Sequence, residues 1–300
     1  MLEELNHIRY VYHYTSLETL LAILDNYRKD KKKNSLTFRA SNIYKVNDPK
    51  EMEAGYDIVK EYLKEYEMAH IPKAYWLHEI ANINEYEAKC KKDYFVGNKE
   101  FLTESGIIPF IISFSGKRDY LPMWSLYGKT GLGVCLKFDV LRIIEAGYDG
   151  QIGFVTYDNK TGLKMMKESF SECYNWYLDE YRDKSDILTI DKKVHEIGNL
   201  CLYVSPFVKY RDYKYEKEFR LTCYKHYGNE IKKSLNELIF PKSFPVDKYV
   251  EVPITINSFK EVMLGPSMDK SIMTHIVKKE LEECNIKVRV SESKIPFRLK

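Results

Sequence analysis

Apolar positions along the chain switch between a period of two and a helical period, with no repeating unit. Tyr10-Val-Tyr-His-Tyr14 is a short run of residues that favour pleated backbone. Thr15-Ser-Leu-Glu18 follows in the form of a capping box, in which a hydroxyl and a carboxylate satisfy the open amides of a starting helix. Leu17, Leu20, Leu21 and Leu24 then recur at helical spacing, so a strand runs straight into a helix with one apolar stripe. Residues 35–40 alternate as a half-buried strand, and Asn47-Asp-Pro49 predicts a turn into a helix carrying Met52, Val59 and Leu63.

Residues 72–105 are tyrosine-rich and charged with few turn signals, and read as a helical insertion. Residues 107–115 are the strongest strand candidate, with Pro109 near the start, where a missing donor costs least. Residues 131–138 predict a further strand and 139–146 a short helix closed by Gly147. A second helical insertion is read over 161–203. Strands are then expected at 219–224, 250–256, 261–264 and 287–290, with a helix at about 268–284. This mixed order, without steady βαβ alternation, predicts one α+β domain over residues 1–300.

Composition narrows the picture by exclusion. The 300 residues are 44% hydrophobic, which suits a globular core and excludes general disorder. No apolar run approaches the roughly 20 residues needed to cross a bilayer, and the first residues carry no secretory pattern, so a soluble protein of the reducing cytosol is expected. Six scattered cysteines fit that compartment, and Cys223-Tyr-Lys-His226 has no second pair to complete a zinc site. The 47 basic residues nearly cancel the 44 acidic ones, leaving +3, so any polyanion site must be local. The 25 tyrosines fit wet clefts and interfaces.

Four segments place hydrogen-bonding side chains beside apolar strand residues. In Tyr12-His-Tyr-Thr15, His13 stands where the chain turns into a helix, suited either to a phosphate or ribose or to a backbone partner in the core. Ser113 and Ser115 share one strand face, as ligand-binding hydroxyls or the finish of an edge strand. Trp124 and Tyr127, three residues apart in a helical turn, can stack on a flat heterocycle or pack on the sheet. In Tyr215-Glu-Lys-Glu-Phe-Arg220, strand periodicity would set Glu216, Glu218 and Arg220 on one face, an arrangement found in active sites and in structural ion-pair networks.

Together these pieces resemble a bacterial family known as domain of unknown function 2971. The resemblance is carried by His13-Tyr-Thr-Ser-Leu17, Asn47-Asp-Pro49, Ile112-Ser-Phe-Ser115, Met123-Trp-Ser-Leu-Tyr127, Gly131-Leu-Gly133, Tyr215-Glu-Lys-Glu-Phe-Arg220 and Val262-Met-Leu-Gly265, in order over almost the whole chain. A looser likeness is to mono-ADP-ribosyltransferases and RNA 2′-phosphotransferases. It rests on His13-Tyr-Thr15, Ser113-Phe-Ser115 and Glu216-Lys-Glu218, motifs that belong to different branches of that group.

This second likeness implies split mixed β-sheets with inserted helices and NAD as a substrate. It implies Glu218 and Glu216 as catalytic carboxylates, and His13, Tyr14, Thr15, Ser113, Ser115, Trp124, Tyr127 and Arg220 as NAD-binding residues. His13 would hold a ribose hydroxyl, and Trp124 or Tyr127 would stack near the nicotinamide. The expected activity is ADP-ribose transfer to a protein or nucleic acid, or NAD hydrolysis, as a defence or toxin effector. The alternative is a non-catalytic nucleic-acid-binding module using the basic stretch 28–33 and exposed tyrosines.

Overall fold

The structure is a computed structural model that describes residues 9–30, 34–48, 50–55, 57–58, 61, 107–168, 204–226 and 248–297. The expected insertion at 72–105 and most of that at 161–203 lie outside these residues, as do Val59 and Leu63. Residues 159–168, at the start of the second insertion, are helical.

The described strands are β1 (Tyr10–Thr15), β2 (Ser35–Asn42), β3 (Ile107–Ser115), β4 (Val134–Asp139), β5 (Gln151–Phe154), β6 (Glu218–His226), β7 (Tyr249–Thr255), β8 (Phe259–Leu264) and β9 (Arg289–Glu292). They form one mixed sheet in the order β5-β6-β3-β1-β4-β8-β9, with β2 branching from β3 and pairing β7. Among the described strands only β8 and β9 run parallel. The helices are α1 (Leu17–Lys29), α2 (Leu121–Leu126), α3 (Val140–Glu145) and α4 (Lys270–Glu283). The architecture is α+β, as the mixed element order requires.

Pleating explains how the sheet acquires two unlike faces. Phe110, Ile112 and Phe114 of β3, Phe219 and Leu221 of β6, and Leu136 and Phe138 of β4 point to one side. There they meet Leu20, Ile23 and Leu24 of α1 and Val277 and Leu281 of α4. Each of these side chains contributes about 1.5–3 kcal/mol by leaving water, so Leu24→Asp would break the seat of α1. On the opposite face the apolar cover is smaller: α2 lays Met123 and Trp124 over Tyr14, Cys135 and Met263.

Helix starts follow local chemistry, with one shift from expectation. The cap of α1 is Ser16, not Thr15: its hydroxyl oxygen accepts from the Thr19 amide at 3.1 Å. Thr15 is retained by β1 because it pairs with Val134 of β4. Asp269 caps α4 by accepting from the amides of Ser271 and Ile272. Met52 also departs from expectation: it is buried in a turn at φ +82°, before the helical residues 53–55.

The sheet forks at β3. The edge of β3 that faces β1 pairs with it at Tyr12 and Ser115, and with β2 at Ser41 and Ile111 and at Asn42 and Phe110. Between these contacts Ser113 has no strand partner on that edge among the described residues, and its side chain is exposed in mid-strand.

Candidate functional site: a buried ion cluster on the forked sheet

The site is built at the start of β6. A 3₁₀ turn over Arg211–Glu216 ends at Lys217, whose left-handed backbone (φ +47°) reverses the chain into the strand. The Ser115 hydroxyl donates to the Glu216 carbonyl at 2.7 Å, and the Gly116 amide donates to the Lys217 carbonyl at 2.7 Å. These bonds staple the turn to the end of β3. Register then sets Glu218 beside Ser115 and Arg220 beside Ser113. Phe219 points into the large core instead.

Strand periodicity over 215–220 is therefore corrected in part. Glu218 and Arg220 share a face as expected, but Glu216 precedes the strand and joins them from the turn. The link is Lys209, whose ammonium donates to Glu216 Oε2 at 2.8 Å and Glu218 Oε2 at 3.0 Å, and lies 3.5 Å from Glu51 Oε2. Arg220, with no solvent exposure, grips Glu218 with both arms of its fork: Nε donates to Oε1 at 2.7 Å and Nη2 to Oε2 at 2.9 Å. Nη2 also donates to Glu51 Oε1 at 2.6 Å, and Nη1 to the Pro206 carbonyl. The Tyr127 hydroxyl donates to Glu216 Oε1 at 2.6 Å. The Glu218 amide donates to the Tyr157 hydroxyl oxygen at 2.9 Å.

Three carboxylates thus share two cations, a formal surplus of one negative charge in a buried place. Burial by itself would raise the pKa of Glu218, but Arg220 and Lys209 outweigh it and hold the acid down at about 2. Glu51 moves the other way: burial dominates its two cationic neighbours and raises its pKa. Burial would lower the Lys209 pKa, yet Glu218, Glu51 and Glu216 together raise it. Burial and the bond to Glu216 both raise that of Tyr127. Glu218 is the anion that persists, and Glu51 is the acid in which burial wins. Buried charge is costly, and strongly perturbed acids cluster at functional sites, which makes this the candidate site.

The other expected site residues divide between this cluster and the fold. Ser113 lies exposed across from Arg220, and Tyr127 shows 39% of its surface. Ser115 is buried in the staple just described. His13 is not brought to Glu218. Its strand neighbour Tyr12 pairs with Ser115, on the Glu218 side, so His13 points to the opposite face and packs edge-on against Phe38 and Phe114. Its Nδ1 lies 2.9 Å from the Ser113 carbonyl, so that nitrogen carries the proton, and burial lowers its pKa.

Tyr14 is structural, donating to the Lys117 carbonyl and accepting from the Tyr120 amide. Trp124 is fully buried, edge-on to Tyr14, with its indole N–H on Asp119 at 2.9 Å. It therefore presents no free ring face to a heterocycle. In the basic stretch, Arg28 pairs with Glu280 and Glu283 and Lys29 with Asp25, while 31–33 lie outside the described residues.

Pattern reading missed three members of the cluster. Glu51 follows Asn47-Asp-Pro49 by two residues and could have been suspected from that turn. Lys209 and Tyr157 come from irregular segments with no periodic signal. No group of three or more His, Cys, Asp or Glu arranged to hold a metal occurs among the described residues. Nor is any helix among them long and apolar enough to cross a membrane.

The fold and site thus define an α+β protein whose large mixed sheet carries a buried cluster of three acids and two cations on one face. Residues 123–221 match the model of a family described as "Protein of unknown function (DUF2971)", which bears out the family resemblance read from the sequence over that stretch; the pieces at 13–17, 47–49, 112–115 and 262–265 lie outside the match. The matched stretch contains Tyr127, Tyr157, Lys209, Glu216, Glu218 and Arg220, and excludes Glu51 and Ser113. No curated protein and no solved structure matches the chain.

Proposed function

We propose that the protein is an NAD-consuming enzyme of the ADP-ribosyltransferase type, with its reaction centre over the Glu218 cluster. The observation that carries this reading is the Glu218 carboxylate, held ionised by Arg220 and Lys209 beneath an exposed Ser113 at the point where the sheet forks. The fork between β1 and β2 on the edge of β3 also favours a split-sheet fold of that type. Cleavage of the nicotinamide–ribose bond sends its electron pair to the departing nicotinamide and leaves positive charge on the sugar. A fixed negative potential next to the sugar stabilises that transition state, as in glycoside hydrolysis.

In this reading Glu218 acts as the permanent anion and Arg220 and Lys209 fix its geometry. Glu216 polarises the Tyr127 hydroxyl at the rim. An acceptor hydroxyl, amine or water then attacks the ribose carbon and releases its proton to solvent or to the rim. Glu51 contributes through its link to Arg220. His13 takes no part in the reaction on this arrangement and anchors the fork instead, so the ribose-holding role falls to groups on the Glu218 face.

The test is nicotinamide release from labelled NAD by wild-type protein and by Glu218→Gln, with water, protein extract and RNA offered as acceptors. Turnover lowered on the order of 100-fold or more in the variant is expected. Wild-type protein inert with every acceptor would remove the reading and leave the cluster as scaffold.

A further inference from the structure

We infer that Ser113 is itself an acceptor of ADP-ribose, a self-modification site over the Glu218 cluster. The inference rests on the NAD reaction proposed above and names one acceptor for it. Within β3, residues 108–112, 114 and 115 are buried, whereas Ser113 between them is exposed. Antiparallel register sets Ser113 directly opposite Arg220 and diagonal to Glu218, so its side chain stands on the face of the cluster. Its hydroxyl donates to the Glu218 carboxylate, one of the contacts that keep that acid ionised. From the fork side, His13 Nδ1 holds the Ser113 carbonyl at 2.9 Å. The backbone that carries this hydroxyl is therefore held from both edges.

Neighbouring hydroxyls are committed elsewhere. Ser115 is buried and donates to the Glu216 carbonyl, Tyr127 donates to Glu216 Oε1, and the buried Thr222 is turned to the Gln151 carbonyl at 3.3 Å. Ser113 combines exposure with a bond to the very acid that would flank the ribose. In the transfer, Ser113 Oγ forms a bond to the ribose carbon that carries nicotinamide. The carbon–nitrogen bond breaks, and its electron pair leaves with nicotinamide. The hydroxyl proton passes to water, since Glu218, held down at about 2, is too weak a base to retain it. A hydroxyl fixed beside the reacting carbon competes well with acceptors that must diffuse in, because its orientation is set before the reaction. Once attached, ADP-ribose stands over the cluster, so modified chains should release nicotinamide more slowly than fresh ones.

The test incubates the full chain with NAD labelled in its adenylate part and no other acceptor, counts the nicotinamide released, and maps the label on the digested protein by mass spectrometry. ADP-ribose is expected on the Ser113 hydroxyl of the wild type, in a linkage that survives hydroxylamine, whereas an ester to Glu216 or Glu218 would be cleaved by it. Ser113→Ala is expected to lose the label on that peptide, read as label per nicotinamide released so that weakened NAD binding is not mistaken for a lost acceptor. Glu218→Gln should lose label and nicotinamide release together. The inference is overturned if the label sits on another residue, if hydroxylamine removes it, or if Ser113→Ala keeps the wild-type ratio of label to nicotinamide. Nicotinamide released with the protein unlabelled also overturns it but leaves the NAD reaction standing, whereas no release at all removes both.

Discussion

Two charged clusters lie on one face of one sheet, yet they are built on opposite terms. Around Glu218, three acids share two cations, and every member is buried. Around Glu261, one buried acid is met by two exposed guanidinium groups, Arg118 at 2.9 Å and Arg289 at 3.7 Å, and by the Ser291 hydroxyl. The sealed cluster cannot relax its imbalance into water, so the strain falls on Glu51, whose pKa burial raises. The open cluster is screened, so two cations on one acid cost little there. A shared face thus supports one sealed charge cluster and one open to solvent.

The contrast should be largest in stability. Arg220→Met strands Glu218 and Glu51 without their fork, and a loss of about 3–5 kcal/mol is expected in urea unfolding. Arg118→Met, at the half-open cluster, should cost about 1 kcal/mol, because Ser291, Arg289 and water still serve Glu261. Equal losses would erase the distinction between sealed and open. Between the two lies Trp124→Phe, which keeps most of the ring packing but removes the indole donor and leaves Asp119 only the Ser293 hydroxyl and the Lys294 amide. A loss of about 1–2 kcal/mol is expected, with no change in any nucleotide affinity, since that ring lies in the core.

The pH response separates the clusters further. Glu218 has a folded pKa of about 2 against about 4.3 in an unfolded chain. Its stabilisation is therefore complete above about pH 4.3 and lost as pH falls through about 2. Glu51, raised by burial, has the opposite sign: its ionisation costs stability as pH climbs past the unfolded value. Urea midpoints from pH 2 to 5 should fall less steeply in Glu218→Gln than in wild type, and an unchanged slope would contradict the assignment of Glu218 as the anion. The smallest effect belongs to Lys137→Gln, expected within about 0.5 kcal/mol of wild type in the same assay, since its ammonium rests on the Tyr10 ring and no ion pair among the described residues depends on it.

Much of the fold was legible because strands and helices follow periodicity. Residues 35–40, 107–115 and 250–256 were read as strands, and β2, β3 and β7 occupy those places with small shifts at the ends. Helix 268–284 likewise contains α4. β5, only Gln151–Phe154, was not seen: it is four residues long with a glycine inside, too short to show a period. Lys217 illustrates a deeper limit. Nothing in Tyr215-Glu-Lys-Glu-Phe-Arg220 announces a left-handed residue, so the alternation was extended one turn too far.

The site was legible only where its residues adjoin one another in sequence. Glu218 and Arg220 stood out as a strand pair, whereas Lys209 and Glu51 reach them through tertiary packing that no local pattern encodes. The expected meeting of His13 with Glu218 failed for a reason of parity. Pairing of Tyr12 with Ser115 turns His13 to the far side, and a register one residue different would have brought it round.

The most direct test is nicotinamide release from NAD measured in parallel for wild type, Glu218→Gln and Tyr127→Phe, each first shown to be folded. The account predicts turnover by wild type, a fall on the order of 100-fold in Glu218→Gln, and a smaller fall in Tyr127→Phe. Folded Glu218→Gln releasing nicotinamide at the wild-type rate would contradict it.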